Sequence, residues 1–400
     1  MGWLTAFVIL AAAITGCQER LTAPGECPEL CPGGESRMFD TVINPLANLD
    51  SSYVGYVSRT SAGALLVSNG LPASEDRAVI RFNARPDSID VRDTLRAYTV
   101  DSALLALNLV ARDTLVNGLK LYLYRIDPGV DVDDTFASIV PQLLSAAIID
   151  SIEVPDSVNS GLIQTVLRGA DVAKVALPTG AGGTLAIGVA MAADQPSGVR
   201  IGSAAVGTGG SFISYVTLDV PDTGSVRRQS VTRAPAFNAF VTESPLVADD
   251  AFLHVGGEPS ARALLRFDLP EDIEDSATIV RATLELIPRS PMLGLPSDPA
   301  LLQAKALLAD LGAKSPVTTD AGFISSDTLA VGGADTVRLD VTSIVRVWQA
   351  ASERPEAIFL SLLPEAASFT RPVFGSTRSG TVGAPRLRIT YLKPFAFENP

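Results

Sequence analysis

Histidine is nearly absent from this chain of 400 residues, which contains only His254. A serine–histidine–aspartate hydrolase needs a histidine as its general base. The Gly-x-Ser-x-Gly elbow and the Walker-type phosphate loop are also missing from the sequence. Two carboxylates could cleave a glycoside, but no motif singles out a pair among the 44 acidic residues. We therefore expect no catalytic residue, and we interpret His254 as part of a strand face or a turn.

Cysteine is scarce as well, and its three copies, Cys17, Cys27 and Cys31, lie near the start of the chain. A structural metal site needs several cysteine or histidine ligands close together, and His254 is far away in sequence. Residues 131–134, Asp-Val-Asp-Asp, could offer oxygen atoms to calcium, but they lack the EF-hand spacing and are typical of a solvated loop. We expect no metal and no cofactor.

Basic residues are outnumbered, with 31 Lys and Arg against 44 Asp and Glu and a formal net charge of −13. Nucleic-acid binding requires a basic surface, so that class of partner is excluded. Long helical periodicity is rare. Short apolar runs recur between turn residues in a chain with 32 glycines and 27 prolines. This pattern predicts an all-β protein.

The first residues are typical of an export signal. Residues 3–15 form an apolar run that is too short to span a bilayer. The following Ile14, Thr15, Gly16 and Cys17 resemble the bacterial lipobox, which implies cleavage before Cys17 and acylation of that cysteine. An ordinary signal peptide is the alternative. Because Gln18 rather than aspartate follows the cysteine, the outer membrane or the cell surface is favoured as the location.

A tether rich in proline and glycine follows, at residues 17–37. It contains Cys27 and Cys31, the two cysteines that remain once Cys17 carries lipid. Exported chains reside in oxidising compartments, so we expect a local disulfide between them. Two free thiols are the alternative.

One stretch of sequence occurs twice. Residues 261–269, Ala-Arg-Ala-Leu-Leu-Arg-Phe-Asp-Leu, match residues 76–84, Asp-Arg-Ala-Val-Ile-Arg-Phe-Asn-Ala. The alternation predicts a strand in each copy, with Leu265 and Phe267 facing a core in one and Ile80 and Phe82 in the other. A recurrence after about 185 residues is the length of a duplicated domain.

The repeat divides the chain into two domains. The predicted segments are a signal peptide (1–16), the Cys17 tether (17–37), a first β-sandwich (38–221), a linker (222–235), a second β-sandwich (236–393) and a tail (394–400). We also expect strands at residues 172–177 and 301–305, irregular or helical cover at 133–149, and a short helix at 342–349 with Thr342 as its N-cap. Trp348 on that helix is expected to pack in the core.

The second domain resembles the DNRLRE-type domains of exported bacterial and archaeal proteins. The order of its motifs carries the resemblance: Asp250, residues 264–268, residues 282–286, residues 340–342 with Trp348, Gly375 with Ser376, and residues 385–391. Residues 38–221 look like a divergent copy. The resemblance implies tandem jelly-roll sandwiches similar to carbohydrate-binding modules, with two antiparallel sheets in each.

These observations together predict a non-enzymatic lipoprotein of the cell envelope. Lipid at Cys17 would hold it in the membrane, and the two sandwiches would bind polysaccharide or mediate adhesion. The alternative is a structural or assembly lipoprotein whose sandwiches contact other envelope proteins. The sequence nominates no ligand-binding residue for either function.

Overall fold

The structure is a computed structural model that describes residues 38–393 except 73, 92, 178–182, 219–226, 248, 250, 259, 351–352 and 381–382. The expected signal peptide, the tether with Cys17, Cys27 and Cys31, the tail at 394–400 and Asp250 lie outside the described residues. Across the described ranges, no helix combines the length and the apolar character needed to cross a membrane.

The N-terminal sandwich consists of two antiparallel sheets. The first sheet contains β3 (Ala64–Asn69), β7 (Tyr98–Arg112), β10 (Gly161–Arg168), β12 (Ser197–Gly202), β13 (Ser211–Leu218) and β14 (Arg227–Arg233). Its order is β14-β13-β7-β12-β3, and β10 also pairs with β7. The second sheet, in the order β15-β4-β11-β8-β9, contains β4 (Asp76–Phe82), β8 (Lys120–Ile126), β9 (Ile148–Glu153), β11 (Ala186–Ala192) and β15 (Pro235–Thr242).

The C-terminal sandwich repeats this arrangement with a smaller first sheet and a second sheet of the same number of strands. Its first sheet, in the order β1-β24-β18-β21, contains β1 (Met38–Ile43), β18 (Thr278–Leu286), β21 (Val337–Asp340) and β24 (Arg386–Leu392). The second, in the order β2-β17-β22-β19-β20, contains β2 (Ser51–Val54), β17 (Ala261–Arg266), β19 (Leu301–Ala306), β20 (Ile324–Thr328) and β22 (Ala357–Leu363). Two small pairs complete the strands: β5 (Ile89–Asp90) with β6 (Leu95–Arg96), and β16 (Phe252–His254) with β23 (Val373–Gly375).

Helices are few in the described part of the chain. They are α1 (Phe136–Ile139), α2 (Glu271–Glu274) and α3 (Thr342–Ala350), with 3-10 turns at Val140–Gln142, Ser145–Ala147, Gly169–Val175, Ala204–Val206, Gly312–Lys314, Ala321–Phe323 and Thr377–Ser379. The prediction of an all-β chain with antiparallel sandwiches is confirmed. The expected helical or irregular cover at residues 133–149 is confirmed up to residue 147, where β9 follows.

The repeated stretch forms the second strand of an equivalent sheet in each sandwich. β4 lies between β15 and β11, and β17 lies between β2 and β22. Ile80 and Phe82 pack in the N-terminal core, and Leu265 and Phe267 pack in the C-terminal core, as the alternation predicts. Burial of apolar side chains such as these is the main favourable contribution to the folding free energy of each sandwich.

Strand pairing crosses the boundaries expected from the sequence. β1 and β2, near the start of the expected first domain, pair with β24 and β17 of the C-terminal sandwich. β14 and β15 pair with β13 and β4 of the N-terminal sandwich, although residues 222–235 are expected to be a linker. Each of these strands occupies a sheet edge and satisfies backbone groups there that would otherwise be open. Each sandwich is therefore completed by chain from the other side of the expected boundary.

The two sandwiches share an apolar contact. It contains Ala62, Leu66, Phe240, Leu295, Ala366 and Phe369, all buried. Polar contacts lie beside it: Arg200 Nη2 is 2.6 Å from Asp298 Oδ1, and Ser297 Oγ donates to Asp113 Oδ1 at 2.6 Å. The backbone approaches closely, because a Cβ on Gly198 would lie 2.7 Å from Phe369 Cζ.

Two local predictions need correction. Residues 172–177 are not a strand, because the chain turns at Gly169, whose φ is +56°, and continues as a 3-10 helix through Val175. Thr342 is the first residue of α3 rather than its N-cap. Its backbone N–H and its hydroxyl donate to Asp340 Oδ1 at 3.0 and 2.6 Å. Asp340 therefore accepts from a backbone N–H that has no partner within the helix.

Candidate functional site

His254 occupies a strand, as expected, and is half-buried on β16. Burial lowers the pKa of its imidazole, although Asp249 opposes that shift. Neither ring nitrogen has a hydrogen-bond partner in the described part of the chain. The carboxylates of residues 131–134 act within their own loop: Asp131 Oδ1 accepts from the Asp133 N–H, and Asp134 Oδ1 accepts from Ser138 Oγ. Within the described ranges, no three histidine, cysteine or acidic residues come together in a metal-binding arrangement.

A solvent-facing depression lies on the first sheet of the N-terminal sandwich. It has a volume of about 1010 Å³ and crosses strands β10, β7, β13 and β14. We call it the N-terminal groove, and its lining includes Asp101, Ser102, Arg168, Tyr215, Arg228 and Ser230.

Strand register brings four of these side chains into one row. Tyr215 pairs with Ser230 on one side and with Ser102 on the other, and Ser102 pairs with Arg168. Neighbouring strands are about 4.8 Å apart, so the row spans roughly 14 Å. A flat sheet face with one aromatic residue in such a row can contact an extended ligand.

A β-bulge shapes the middle of the groove. The register between β13 and β7 shifts after Tyr215, which leaves Asp101 as an extra residue on β7. Both Asp101 and Ser102 therefore line the groove. Asp101 Oδ2 accepts a hydrogen bond from Thr217 Oγ1 at 2.6 Å, so the bulge carboxylate has a partner within the protein.

Two guanidinium groups in the groove have no partner among the described residues. The side chains of Arg168 and Arg228 make no hydrogen bond or ion pair with any of them. Tyr215 is 41% exposed between them, and the adjoining row on the same face carries Val166 and Leu104. In a chain of net charge −13, this face presents positive charge and apolar surface to solvent.

The C-terminal sandwich has a depression at the equivalent place. Its volume is about 370 Å³, and we call it the C-terminal groove. Its lining includes Phe39, Asp40, Arg281, Thr283, Arg388 and Thr390. Thr390 pairs with Asp40 on one side and with Arg281 on the other. Tyr215 pairs in the same way with Ser230 and Ser102 in the N-terminal sandwich. A bulge follows at the same point in both sheets.

The two grooves differ in chemistry. In the C-terminal groove, Asp40 accepts from Arg388 Nη1 and from Thr390 Oγ1, each at 3.0 Å, so these three side chains satisfy one another. A threonine stands where the N-terminal groove has Tyr215. Among the described residues, the N-terminal groove therefore has more hydrogen-bond donors without a partner. It also has the exposed ring of Tyr215 at the position that Thr390 occupies in the C-terminal groove.

Sequence reasoning missed these residues for identifiable reasons. Arg228 is assigned to the linker because residues 227–233 contain a single apolar residue, Val231, and therefore show no apolar alternation typical of a strand. Arg168 gives no signal of its own, because only the pairing of β10 with β7 brings it beside Ser102.

No family model matches the chain, and the curated proteins contain no match to it. The resemblance to DNRLRE-type domains therefore remains a prediction from the motifs quoted above.

Proposed function

We propose that the protein is a non-enzymatic lipoprotein of the cell envelope that binds polysaccharide through the N-terminal groove. The observation that carries this proposal is the exposed ring of Tyr215 between the unpartnered guanidiniums of Arg168 and Arg228. A binding site commonly combines apolar contact area with a few well-placed polar groups, and this groove has both.

The chemistry of the groove also suggests the kind of polysaccharide. An aromatic ring offers a flat apolar surface to the C–H face of a sugar ring. A guanidinium binds a carboxylate through two parallel hydrogen bonds, which makes it well suited to acidic sugars. We therefore expect acidic polysaccharides to bind more tightly than neutral ones, with an affinity that falls as salt concentration rises.

Affinity electrophoresis against panels of neutral and acidic polysaccharides tests the proposal. Tyr215→Ala and Arg168→Gln should each reduce binding by about tenfold or more, since loss of a charged hydrogen bond or an aromatic contact is worth about 1.5 kcal/mol. Tyr56→Ala is the matched control, because Tyr56 is also 41% exposed but packs against Phe359 of the other sandwich. Equal retardation of the wild type and the groove variants on every polysaccharide would reject this site.

Attachment at Cys17 forms the second part of the proposal. Twenty-one positions separate Cys17 from Met38, where β1 begins, and an extended tether of that length reaches about 70 Å. Intact mass of the membrane-extracted protein should indicate cleavage before Cys17 plus acyl chains, and Cys17→Ala should abolish both. Reduction should raise that mass by two hydrogens if Cys27 and Cys31 form a disulfide.

Contact with other envelope proteins is the alternative function. Leu162, which is 67% exposed, and Val166 lie on the same sheet face as Tyr215 and would suit an apolar protein contact. Leu162→Asp should weaken capture of an envelope protein under this alternative and leave polysaccharide binding intact under the first.

A further inference from the structure

The N-terminal sandwich contains a second concavity, on the core side of the sheet that carries the groove. It has a volume of about 250 Å³ and lies where β7 begins, and we call it the inner cavity. Seven of its ten lining residues are apolar, among them Val100, Val172, Leu177 and Phe212, and polar atoms also face the cavity. Its volume is just below the roughly 300 Å³ at which small-molecule sites begin, so it suits a small ligand rather than a polymer.

Two arginines give the inner cavity its charge. Arg85 lines it and lies over the ring of Tyr98, with its guanidinium carbon 5.4 Å from the ring centre. Arg233 stands behind the Phe212 wall, with its guanidinium carbon 4.1 Å from the centre of that ring. Arg233 is only 3% exposed, and its Nε and Nη1 atoms have no hydrogen-bond partner among the residues that the structure describes.

These cations have no compensating anion. Neither Arg85 nor Arg233 pairs with a carboxylate anywhere in the described ranges. Burial, together with the like charge of Arg85, lowers the pKa of Arg233 to about 10. A buried cation without a partner is costly, and an anion in the adjoining cavity would offset that cost.

The lining also limits what kind of anion fits. Phosphate and sulfate are strongly hydrated and would leave the apolar wall unused. A carboxylate on a short apolar body would use both parts, because Arg85 and Ser214 offer donors to its oxygens and Val100 and Leu177 offer apolar contact to its body. The Tyr98 hydroxyl is already engaged, since it donates to the Pro86 carbonyl.

We propose that the inner cavity binds a small aliphatic or aromatic monocarboxylate, with Arg85 as its direct partner and Arg233 as the buried charge behind it. This site is separate from the polysaccharide groove, which lies on the opposite face of the sheet. The proposal therefore does not depend on the function assigned to that groove.

Titration calorimetry of the full chain tests this proposal with four probes: benzoate, hexanoate, the neutral benzamide and inorganic phosphate. We expect benzoate and hexanoate to bind with one-to-one stoichiometry and benzamide to bind at least tenfold more weakly. Arg85→Gln and Arg233→Met should each weaken benzoate binding about tenfold or more. Arg233→Met removes an unpaired buried cation, so this variant should fold, and the half-buried Arg85 provides an independent variant.

Arg168→Gln is the control, because it removes an arginine from the outer groove of the same sandwich. It should leave benzoate binding unchanged while reducing polysaccharide binding, so the two sites can fail separately. Three results would each overturn the proposal: no binding of either carboxylate, equal binding of benzamide, or phosphate binding as tight as that of benzoate. Retention of benzoate binding in both Arg85→Gln and Arg233→Met would place the ligand elsewhere and overturn it too.

Discussion

Glu258 should make the stability of this protein fall as pH rises through the neutral range. Its side chain is 0% exposed, and its Oε2 accepts from Arg371 Nε at 3.0 Å and from Arg371 Nη2 at 2.5 Å. Its Oε1 has no hydrogen-bond partner within the described ranges. Asp76, also fully buried, adds a second carboxyl, and its Oδ2 accepts from Ser68 and Ser74 at 2.8 Å each.

Burial, followed by the charge of Asp76, raises the pKa of Glu258 to about 8 from an ordinary value of 4.5, although Arg371 opposes the shift. Between those values the unfolded chain has lost a proton that the folded protein retains. The folded state then binds more protons, so the free energy of unfolding decreases with pH. One proton corresponds to about 1.4 kcal/mol per pH unit, which gives a loss of about 2 kcal/mol from pH 5.5 to pH 7. Burial also raises the pKa of Asp76, which acts in the same direction.

Urea unfolding at half-unit steps from pH 5.5 to pH 7 measures this effect. Fluorescence of Trp348, which is buried against Phe267 in the C-terminal core, follows the sandwich that contains Glu258. Glu258→Gln keeps an oxygen acceptor for Arg371 and removes the ionisation. The difference in unfolding free energy between wild type and variant should change by about 1.4 kcal/mol per pH unit, and groups common to both proteins cancel. Parallel pH curves would refute the reasoning, because they would mean that Arg371 keeps Glu258 ionised despite its burial.

Three further outcomes follow from the packing. Removing residues 1–60 deletes β1 and β2, so amide hydrogen exchange should accelerate in β24 and remain slow in β13. Equal protection of β24 in the full chain and in the truncated protein would contradict the observed pairing. Gly198→Ala places a Cβ 2.7 Å from Phe369 and should cost about 1–3 kcal/mol in urea unfolding, and an unchanged midpoint would mean that the sandwiches separate easily. Trp348→Ala should cost about 3–5 kcal/mol by calorimetry, whereas a loss below about 1 kcal/mol would show that the core collapses around the gap.

Local alternation predicted much of the fold because it depends on residues that are close in sequence. Leu265 and Phe267 face the core for the reason that the pattern gives, a period of two with one buried face. The repeat also resolved an ambiguous segment. Composition alone fits a helix at residues 301–305, and the match to the first copy predicts the strand that β19 forms.

Edge strands and the groove depend on long-range pairing, which alternation does not encode. β1 could pair with the edge of a sheet in either sandwich. Its position in the sequence predicted the N-terminal sandwich, whereas β1 pairs with β24 of the C-terminal one. β14 is more polar than most strands because its outer face is solvated, so its arginines resembled a linker. Arg168 and Arg228 meet Tyr215 only through those pairings. The candidate site could therefore not be found from spacing along the chain.

The pairing of β1 with β24 also determines how the protein responds to force. The two strands are antiparallel, with Met38 opposite Leu392, so the two ends of the described chain leave the sheet side by side. Tension that separates these ends loads the hydrogen bonds between the strands one pair at a time, beginning at Met38, instead of shearing them together. Such an edge opens at low force. A protein anchored through its N-terminal segment would thus extend by peeling β1 from the C-terminal sandwich, while the groove of the N-terminal sandwich keeps all four of its strands.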